Sequence, residues 1–343
     1  MRKIVIHKPG GYDRLKLEEA ADPEAGPGDV RIAVEAIGVN YADCLVRMGL
    51  YASAKEYVGW PITPGFEVAG VIDQLGAGVT SRAIGDAVVG VTRFGAYADK
   101  LVVPQGQVFA RPAGLSNVQA AGFPTVFLTA YYALFELVHP RPEQWFLVHS
   151  AAGGVGSALV QLCRLAGGHV VGVVGSPHKV QAAKQWGATA VIDKSQEALW
   201  PAAERLAPHG FHAIFDANGV ATLRESYRHL ATPGKLVVYG FHTMLPKSGG
   251  KPQWLKMALH YLRTPRFNPL DMVTQNRSVL AFNLSYLFAE GPMLSLGMGR
   301  LFSWLEAGQI QPLPVTTFPL HEVGEAHRAL ESGQTVGKLV LTT

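Results

Sequence analysis

The run Ser150-Ala151-Ala152-Gly153-Gly154-Val155-Gly156 carries the clearest chemistry in the chain. It follows an apolar, strand-like stretch, Phe146–His149, and leads into a helix-like one, Val155–Leu165. Small residues at this spacing between a strand and a helix let backbone approach a pyrophosphate. Ala151 stands in place of the first glycine of the fingerprint, Gly153 allows the close approach, and Gly156 lets the helix pack on the strand. The helix N-terminus adds free N–H donors and positive partial charge for a phosphate. The chemistry this implies is dinucleotide binding, with Ala152, Gly153, Gly154 and Val155 against the pyrophosphate.

Which dinucleotide is read from the next strand. An NAD site holds the ribose 2′-hydroxyl with an acid about 20 residues on. Here His169–Val174 runs into Gly175-Ser176 with no acid, and Lys179 and Lys194 follow the second and third strands. Cations there attract a 2′-phosphate, and a charge-assisted contact is worth roughly 1.5–3 kcal/mol, or about ten- to a hundredfold. The expectation is NADPH. The plainer reading of either lysine, a solvated helix-face cation, stands beside it.

The elements around this motif fall into three stretches. The first ~120 residues read as β-rich, with strands at Ile4–Ile6, Val30–Val39, Glu67–Leu75, Ala87–Val91 and Tyr97–Val103 between Gly/Pro/Asp turns, and no sustained helical period. Helical residues run from about Ser116 to Val138. Strands and helices then alternate, with further strands at Ala190–Ile192, Ala213–Asp216, Leu236–Tyr239 and Val279–Phe282, the pattern of a parallel sheet covered on both faces. The tail gives a helix over Leu294–Ala307, a proline-rich loop over Gln311–Pro319, a helix over Val323–Glu331 and a strand over Lys338–Leu341. The expected architecture is α/β and discontinuous. Residues 1–124 form a β-rich domain, 125–285 a doubly wound Rossmann domain with an insert at 244–277, and 286–343 completes the β-rich domain.

Composition narrows the class. Of 343 residues, 48% are apolar and 16% charged, a globular balance rather than a disordered one. A net charge of +4 suits an anionic cofactor and is too mild to call for nucleic acid. Cys44 and Cys163 are the two cysteines, so no disulfide framework is expected and a reducing, cytoplasmic compartment is. The first residues turn polar too soon for a signal peptide. Leu115–Phe135 is uncharged and long enough to span a bilayer, but its Asn117, Gln119, Gly122 and Pro124 mark it as a buried helical region.

AAGGVGSALVQLCR (Ala151–Arg164) closely resembles the signature of the zinc-free quinone oxidoreductases (zeta-crystallin-like) of the medium-chain dehydrogenase/reductase superfamily. GVNYADCLVRMGLY (Gly38–Tyr51), PGFEVAG (Pro64–Gly70) and AIGDAVVGV (Ala83–Val91) resemble its GroES-like catalytic domain. The resemblance covers nearly the whole chain, and Gly240–Leu287 is most similar to the vesicle amine transport protein branch. Zinc-containing relatives have a ligand cysteine where Asn40 stands, a ligand histidine where Phe66 stands, and a four-cysteine lobe. The resemblance therefore implies no metal, and zinc's need for thiolate or imidazole ligands agrees.

The resemblance also assigns roles. Asn40 sits near the nicotinamide ribose and hydrogen-bonds cofactor or acceptor oxygen. Asp43 orders that loop. Tyr51 is either a proton donor to a reducing carbonyl or an aromatic wall. Thr129, Asn218, Tyr239, Gly240, Phe241, Phe282, Asn283 and Leu284 approach the cofactor with Gly175, Ser176, Lys179 and Lys194. The expected reaction is hydride transfer from NADPH to a quinone or α,β-unsaturated carbonyl. The alternatives are enoyl-thioester reduction, or NADPH binding by a lipid-associated or structural protein. A homodimer through edge strands near Val279–Phe282 is also implied. The insert sets Lys247, Lys251, Lys256, Arg263, Arg266 and Arg277 against Asp271, among Trp254, Leu255, Met257, Leu259, Tyr261 and Leu262. That basic amphipathic stretch reads as a lid or oligomer contact, or as a peripheral contact with an anionic membrane.

Overall fold

A computed structural model describes residues 1–244 and 250–343. Lys247, one of the insert's cations, lies outside them. The chain divides into two compact units. The first comprises Met1–Leu128, Lys247–Pro252 and Ser285–Thr343, and the second Thr129–Pro246 and Gln253–Leu284.

The first unit is built on one sheet. Its strands are β3 (Asp29–Val39), β4 (Glu67–Leu75), β5 (Ala87–Val91), β6 (Lys100–Pro104), β7 (Val108–Ala110), β14 (Val315–Pro319) and β15 (Lys338–Thr342), beside a hairpin of β1 (Arg2–Val5) and β2 (Lys16–Glu19). The order is β14-β15-β3-β4-β5-β7, with β6 also on β3. β15 runs antiparallel to β3, so that Leu339 faces Val39 and Val340 faces Gly38. Alternating residues of β3 (Val30, Ile32, Val34) enter an apolar core with Val68, Ile72, Val88 and Leu101, the period-2 burial of a sheet with one dry face.

This unit departs from the sequence reading in three places. Helices α1 (Tyr41–Met48) and α2 (Ala52–Tyr57) lie in the stretch read as strands alone. α1 buries Asp43 and Arg47 together with Cys44, Val46 and Met48, so charged residues on its inner face hide the apolar period. The long helix expected from Ser116 is broken, as α3 (Asn117–Ala121) stops before α4 (Pro124–Tyr131) begins. Pro124 has no N–H to extend a helix and fits a first turn. The proline-rich loop ends in a strand, β14, which as the sheet's edge tolerates proline.

The second unit is a six-stranded parallel sheet of β8 (Trp145–His149), β9 (His169–Val174), β10 (Ala190–Asp193), β11 (Phe211–Asp216), β12 (Leu230–Val238) and β13 (Arg277–Ala281), in the order β10-β9-β8-β11-β12-β13. That is the doubly wound dinucleotide-binding order, with its switch point between β8 and β11. Helices α5 (Gly154–Leu165), α6 (Val180–Gln185), α7 (Leu199–Leu206) and α8 (Leu223–Arg228) connect the strands. α9 (Trp254–Arg263) and α10 (Pro269–Gln275) fill the insert. The central strands β8, β9 and β11 are nearly dry: Phe146, Leu147, Val148, Val170, Val171, Ile214 and Phe215 are fully buried.

In the first unit α1 is fastened by a buried ion pair to α12 (Val323–Glu331). Arg47 donates to Glu331 Oε1 at 2.5 Å, to His327 Nδ1 at 3.1 Å and to the Gly250 carbonyl at 3.1 Å, while Tyr12 donates to the other Glu331 oxygen at 2.6 Å. Both charged side chains are fully buried, so removing one charge strands the other. Glu331→Gln is expected to cost about 3–5 kcal/mol in denaturant unfolding. The double replacement Arg47→Met/Glu331→Leu is expected to cost less than Glu331→Gln alone.

Candidate active site

The candidate residues of the first unit gather where β3 ends. Asn40 is 8% exposed and its side-chain amide is bound at both ends. Nδ2 donates to Glu67 Oε1 at 2.8 Å, and Oδ1 accepts from Lys338 Nζ at 2.5 Å. Lys338 Nζ also reaches Glu67 Oε1 at 2.7 Å. The second Glu67 oxygen accepts from the Thr125 backbone N–H at 2.7 Å, at the start of α4. A carboxylate there answers the partial positive charge of the helix that carries Thr129.

Asp43 holds the same loop from the other side. Its Oδ2 accepts from the Asn40 backbone N–H at 2.7 Å and from the Tyr97 hydroxyl at 2.9 Å, and its Oδ1 accepts from the Gly65 N–H at 3.0 Å. Burial pushes Asp43 up to about 7, against the pull of these donors. Tyr97 lies 3.2 Å from His327 Nε2. Since Arg47 donates to His327 Nδ1, the imidazole carries its proton on Nε2 and gives it to the tyrosine oxygen. Burial and Arg47 together hold His327 well below its ordinary range, in the neutral form.

Tyr51 precedes α2 and stands in an aromatic corner. Its ring meets Phe66 at 5.9 Å and Phe94 at 6.3 Å, both edge to face, and Phe66 lies 5.5 Å from Phe94. Phe66 adjoins Glu67 in the chain, which ties this corner to the Asn40 cluster.

A separate set of candidate residues belongs to the parallel sheet of the second unit. Ser150 takes a left-handed backbone (φ 55°) and turns β8 into α5. Gly153 caps the helix. A Cβ on Gly156 would stand 2.1 Å from the Ser150 carbonyl oxygen, and one on Gly153 3.3 Å from it. Only glycine lets α5 come this near the turn, and its first amides then point out of the loop that holds Ala152, Gly154 and Val155. Beyond β9 come Gly175 and Ser176. A Cβ on Gly175 would lie 3.5 Å from Lys194 Cε, so the Lys194 side chain runs past the end of β9. Burial, then repulsion from Lys194, lowers Lys179. The two ammonium groups share one electrostatic field at the adjoining ends of β9 and β10.

Asn218 and Phe241 border the switch point. Asp216 pins their loop with four accepted hydrogen bonds: from the Asn218 and Gly219 N–H groups at 2.8 and 3.0 Å, and from the Thr222 and Ser226 hydroxyls at 2.7 and 2.9 Å. His149 Nε2 lies 3.1 Å from Ser226 Oγ. This is a structural trio and not a nucleophilic one, because the serine hydroxyl is spent on Asp216 and buried. Burial, followed by Lys194, holds His242 down to about 4. Gly219 (φ 84°) makes room for Phe241, since a Cβ there would lie 3.0 Å from the Phe241 Cα. Phe282 packs on Tyr132 at 4.9 Å and on Tyr239 at 6.3 Å, which brings Tyr239 and Gly240 beside the Phe282-Asn283-Leu284 turn after β13.

The expected residues thus gather in two sets. Asn40, Asp43 and Tyr51 belong to the first unit; the others, from Thr129 to Leu284, belong to the second. Sequence reading missed Glu67, Lys338, Tyr97, His327 and Arg47. Their only trace was a charge or a polar ring opening or interrupting an apolar element. It also missed a grouping of Cys44, His327 and Glu331, whose ligand atoms lie within 4.8 Å of one another. Arg47 donates to two of these three, so a guanidinium already supplies the positive charge that such a set attracts.

Residues 26–113 match the family model for the alcohol dehydrogenase GroES-like domain, and residues 186–341 that for zinc-binding dehydrogenase. The chain is 34% identical to the synaptic vesicle membrane protein VAT-1 homolog of Danio rerio, over all of this chain and 70% of that protein. It is 30% identical to a 2-haloacrylate reductase of a Burkholderia species, over 98% of this chain and 97% of that one. Among solved structures, Escherichia coli quinone oxidoreductase complexed with NADPH superposes with a TM-score of 0.87 at 27% identity, over the whole of both chains. The chain belongs to the medium-chain dehydrogenase/reductase family of oxidoreductases, with the VAT-1 homologues and beside the quinone oxidoreductases.

Proposed function

We propose that this chain is an NADPH-dependent reductase, independent of zinc, that reduces a quinone or an α,β-unsaturated carbonyl. The observation that carries the cofactor choice is the pair Lys179 and Lys194 at the ends of β9 and β10, where an NAD site would hold an acid. Lys179, whose proton affinity is lowered by burial and then by the Lys194 charge, gains from a dianionic phosphate beside it. The α5 N-terminus takes the pyrophosphate, and the Gly153 and Gly156 backbone fits it without a side chain in the way. When bound, NADPH supplies the hydride. The donor set does not fit zinc: Asn40 offers an amide already shared between Lys338 and Glu67, and Phe66 offers no ligand atom.

On the acceptor side, an Asn40 Nδ2–H donates to the acceptor oxygen, where charge develops as hydride arrives. Tyr51 supplies the proton or the aromatic wall. The aromatic corner of Tyr51, Phe66 and Phe94 favours a planar conjugated acceptor. Likeness to a 2-haloacrylate reductase supports a conjugated carbon–carbon bond as the target, and enoyl-thioester reduction is the alternative within this chemistry.

A reading from another class rests on the insert. In α9 and α10, Leu255 is 90% exposed, Leu262 80% and Val273 77%, with Trp254, Tyr261 and Leu270 also bare. Lys256, Arg263 and Arg266 lie in the same stretch. No described helix is long and apolar enough to cross a membrane, so this reading is of a helix lying on an anionic bilayer. Separately, β13 is the open edge of its sheet, which supports pairing with a second copy.

Three measurements test these readings. Fluorescence titration is expected to give a preference for NADPH over NADH of about ten- to a hundredfold, lost in Lys179→Ala and in Lys194→Ala, followed by NADPH-dependent turnover of quinones and enones. Equal affinity for both cofactors in the wild type would sink the assignment. In co-sedimentation, vesicles rich in anionic phospholipid should retain the wild type and release Leu255→Asp/Leu262→Asp, whereas neutral vesicles should retain neither. Light scattering should return twice the chain mass; a monomer overturns the edge pairing.

A further inference from the structure

The buried triangle of Asn40, Glu67 and Lys338 has a consequence for direction. A carboxamide is an acceptor at one end and a donor at the other, and a half-turn about its last bond exchanges the two. Lys338 can only donate, and the Glu67 carboxylate oxygens accept from Lys338 Nζ and from the Thr125 N–H. With Lys338 on one side and Glu67 on the other, the Asn40 amide has one permitted orientation: Oδ1 toward Lys338, Nδ2 toward Glu67. Glu67 takes one of the two Nδ2 hydrogens. The other is the donor that the proposed reaction uses.

The backbone has been cleared for this arrangement. A Cβ on Gly38 would lie 2.3 Å from Glu67 Oε1, and one on Gly122 would lie 2.9 Å from Lys338 Cγ. Neither glycine has a positive φ, so neither is required by a turn; Gly38 also clears the Ala121 carbonyl oxygen, 2.4 Å from the same Cβ position. Burying an ion pair brings little net stability, and a neutral pair would pack in the same space. Its use is to choose between two orientations of an amide that would otherwise be nearly equivalent.

We infer that Lys338 is a positioning residue: with Glu67 it fixes the Asn40 amide so that a donor, never an acceptor, faces the substrate oxygen. The inference rests on the proposed role of Asn40 in reduction, but the amide orientation can be read without turnover. In ¹⁵N-labelled protein, the Asn40 side-chain amide is identified by its loss in Asn40→Ala. In Lys338→Met its two proton signals are expected to move and to exchange faster with water. For the acceptor giving the highest turnover, kcat is expected to fall about a hundredfold while KM for NADPH stays within about twofold. Lys338→Arg, still an obligate donor, should recover part of kcat.

Lys338→Met leaves Glu67 buried and unpaired, so the variant Glu67→Gln/Lys338→Met, which carries no net charge at the site, separates orientation from charge balance. It is expected to fold and to keep the low kcat and the shifted amide signals. A double variant with wild-type kcat, or unchanged Asn40 amide signals in Lys338→Met, overturns the proposal. If the wild type reduces no quinone or enone, the proposed function fails, and the amide signals still decide the role of Lys338.

Discussion

A single lysine–carboxylate contact holds together four distant parts of the first unit. Lys338 opens β15, Glu67 opens β4, Asn40 follows β3, and Thr125 lies in the first turn of α4. Each needs the others: the ammonium and the carboxylate are both nearly dry, and neither charge would be tolerated there alone. The pair binds both ends of the Asn40 amide. Asp43 finishes the task from the opposite side with three accepted hydrogen bonds. Behind it, Tyr97, His327 and Arg47 carry the chain of polar contacts through to α12.

The second unit solves a different problem with different means. In the proposed function it presents backbone amides and two cations to an anion, and its means are small residues and strand ends rather than a buried ion pair. Ser150, Gly153 and Gly156 let the helix close on the strand, and Asp216 fastens the loop at the switch point through four donors. Here the Asp216 donors all lie within 10 residues of it, whereas Lys338 meets Asn40 from 298 positions away.

That difference decides what could be read from the sequence. The Rossmann order, the phosphate loop and the missing acid after β9 are local in the chain, so spacing reveals them. The GroES-like domain and the roles of Asn40 and Tyr51 came from resemblance, not from pattern. Helix α1 escaped because Asp43 and Arg47 point inward, where a hydrophobic period expects apolar residues. Glu67 and Lys338 looked like ordinary polar residues at strand starts, and nothing in either segment announces the other. A single sequence records which residues are charged but not which charges meet.

The contact between Lys338 and Asn40 joins residues 298 positions apart, with the whole parallel-sheet unit encoded between them. At roughly 5–20 residues per second, a ribosome needs on the order of 15–60 s to travel that far. Through that interval Asn40, Glu67 and their strands are already outside, while the cation that will neutralise Glu67 has yet to be made. The nascent first unit must therefore leave Glu67 in water and its loop unsettled until β15 arrives to pair with β3. The Asn40 cluster, begun first, is completed last.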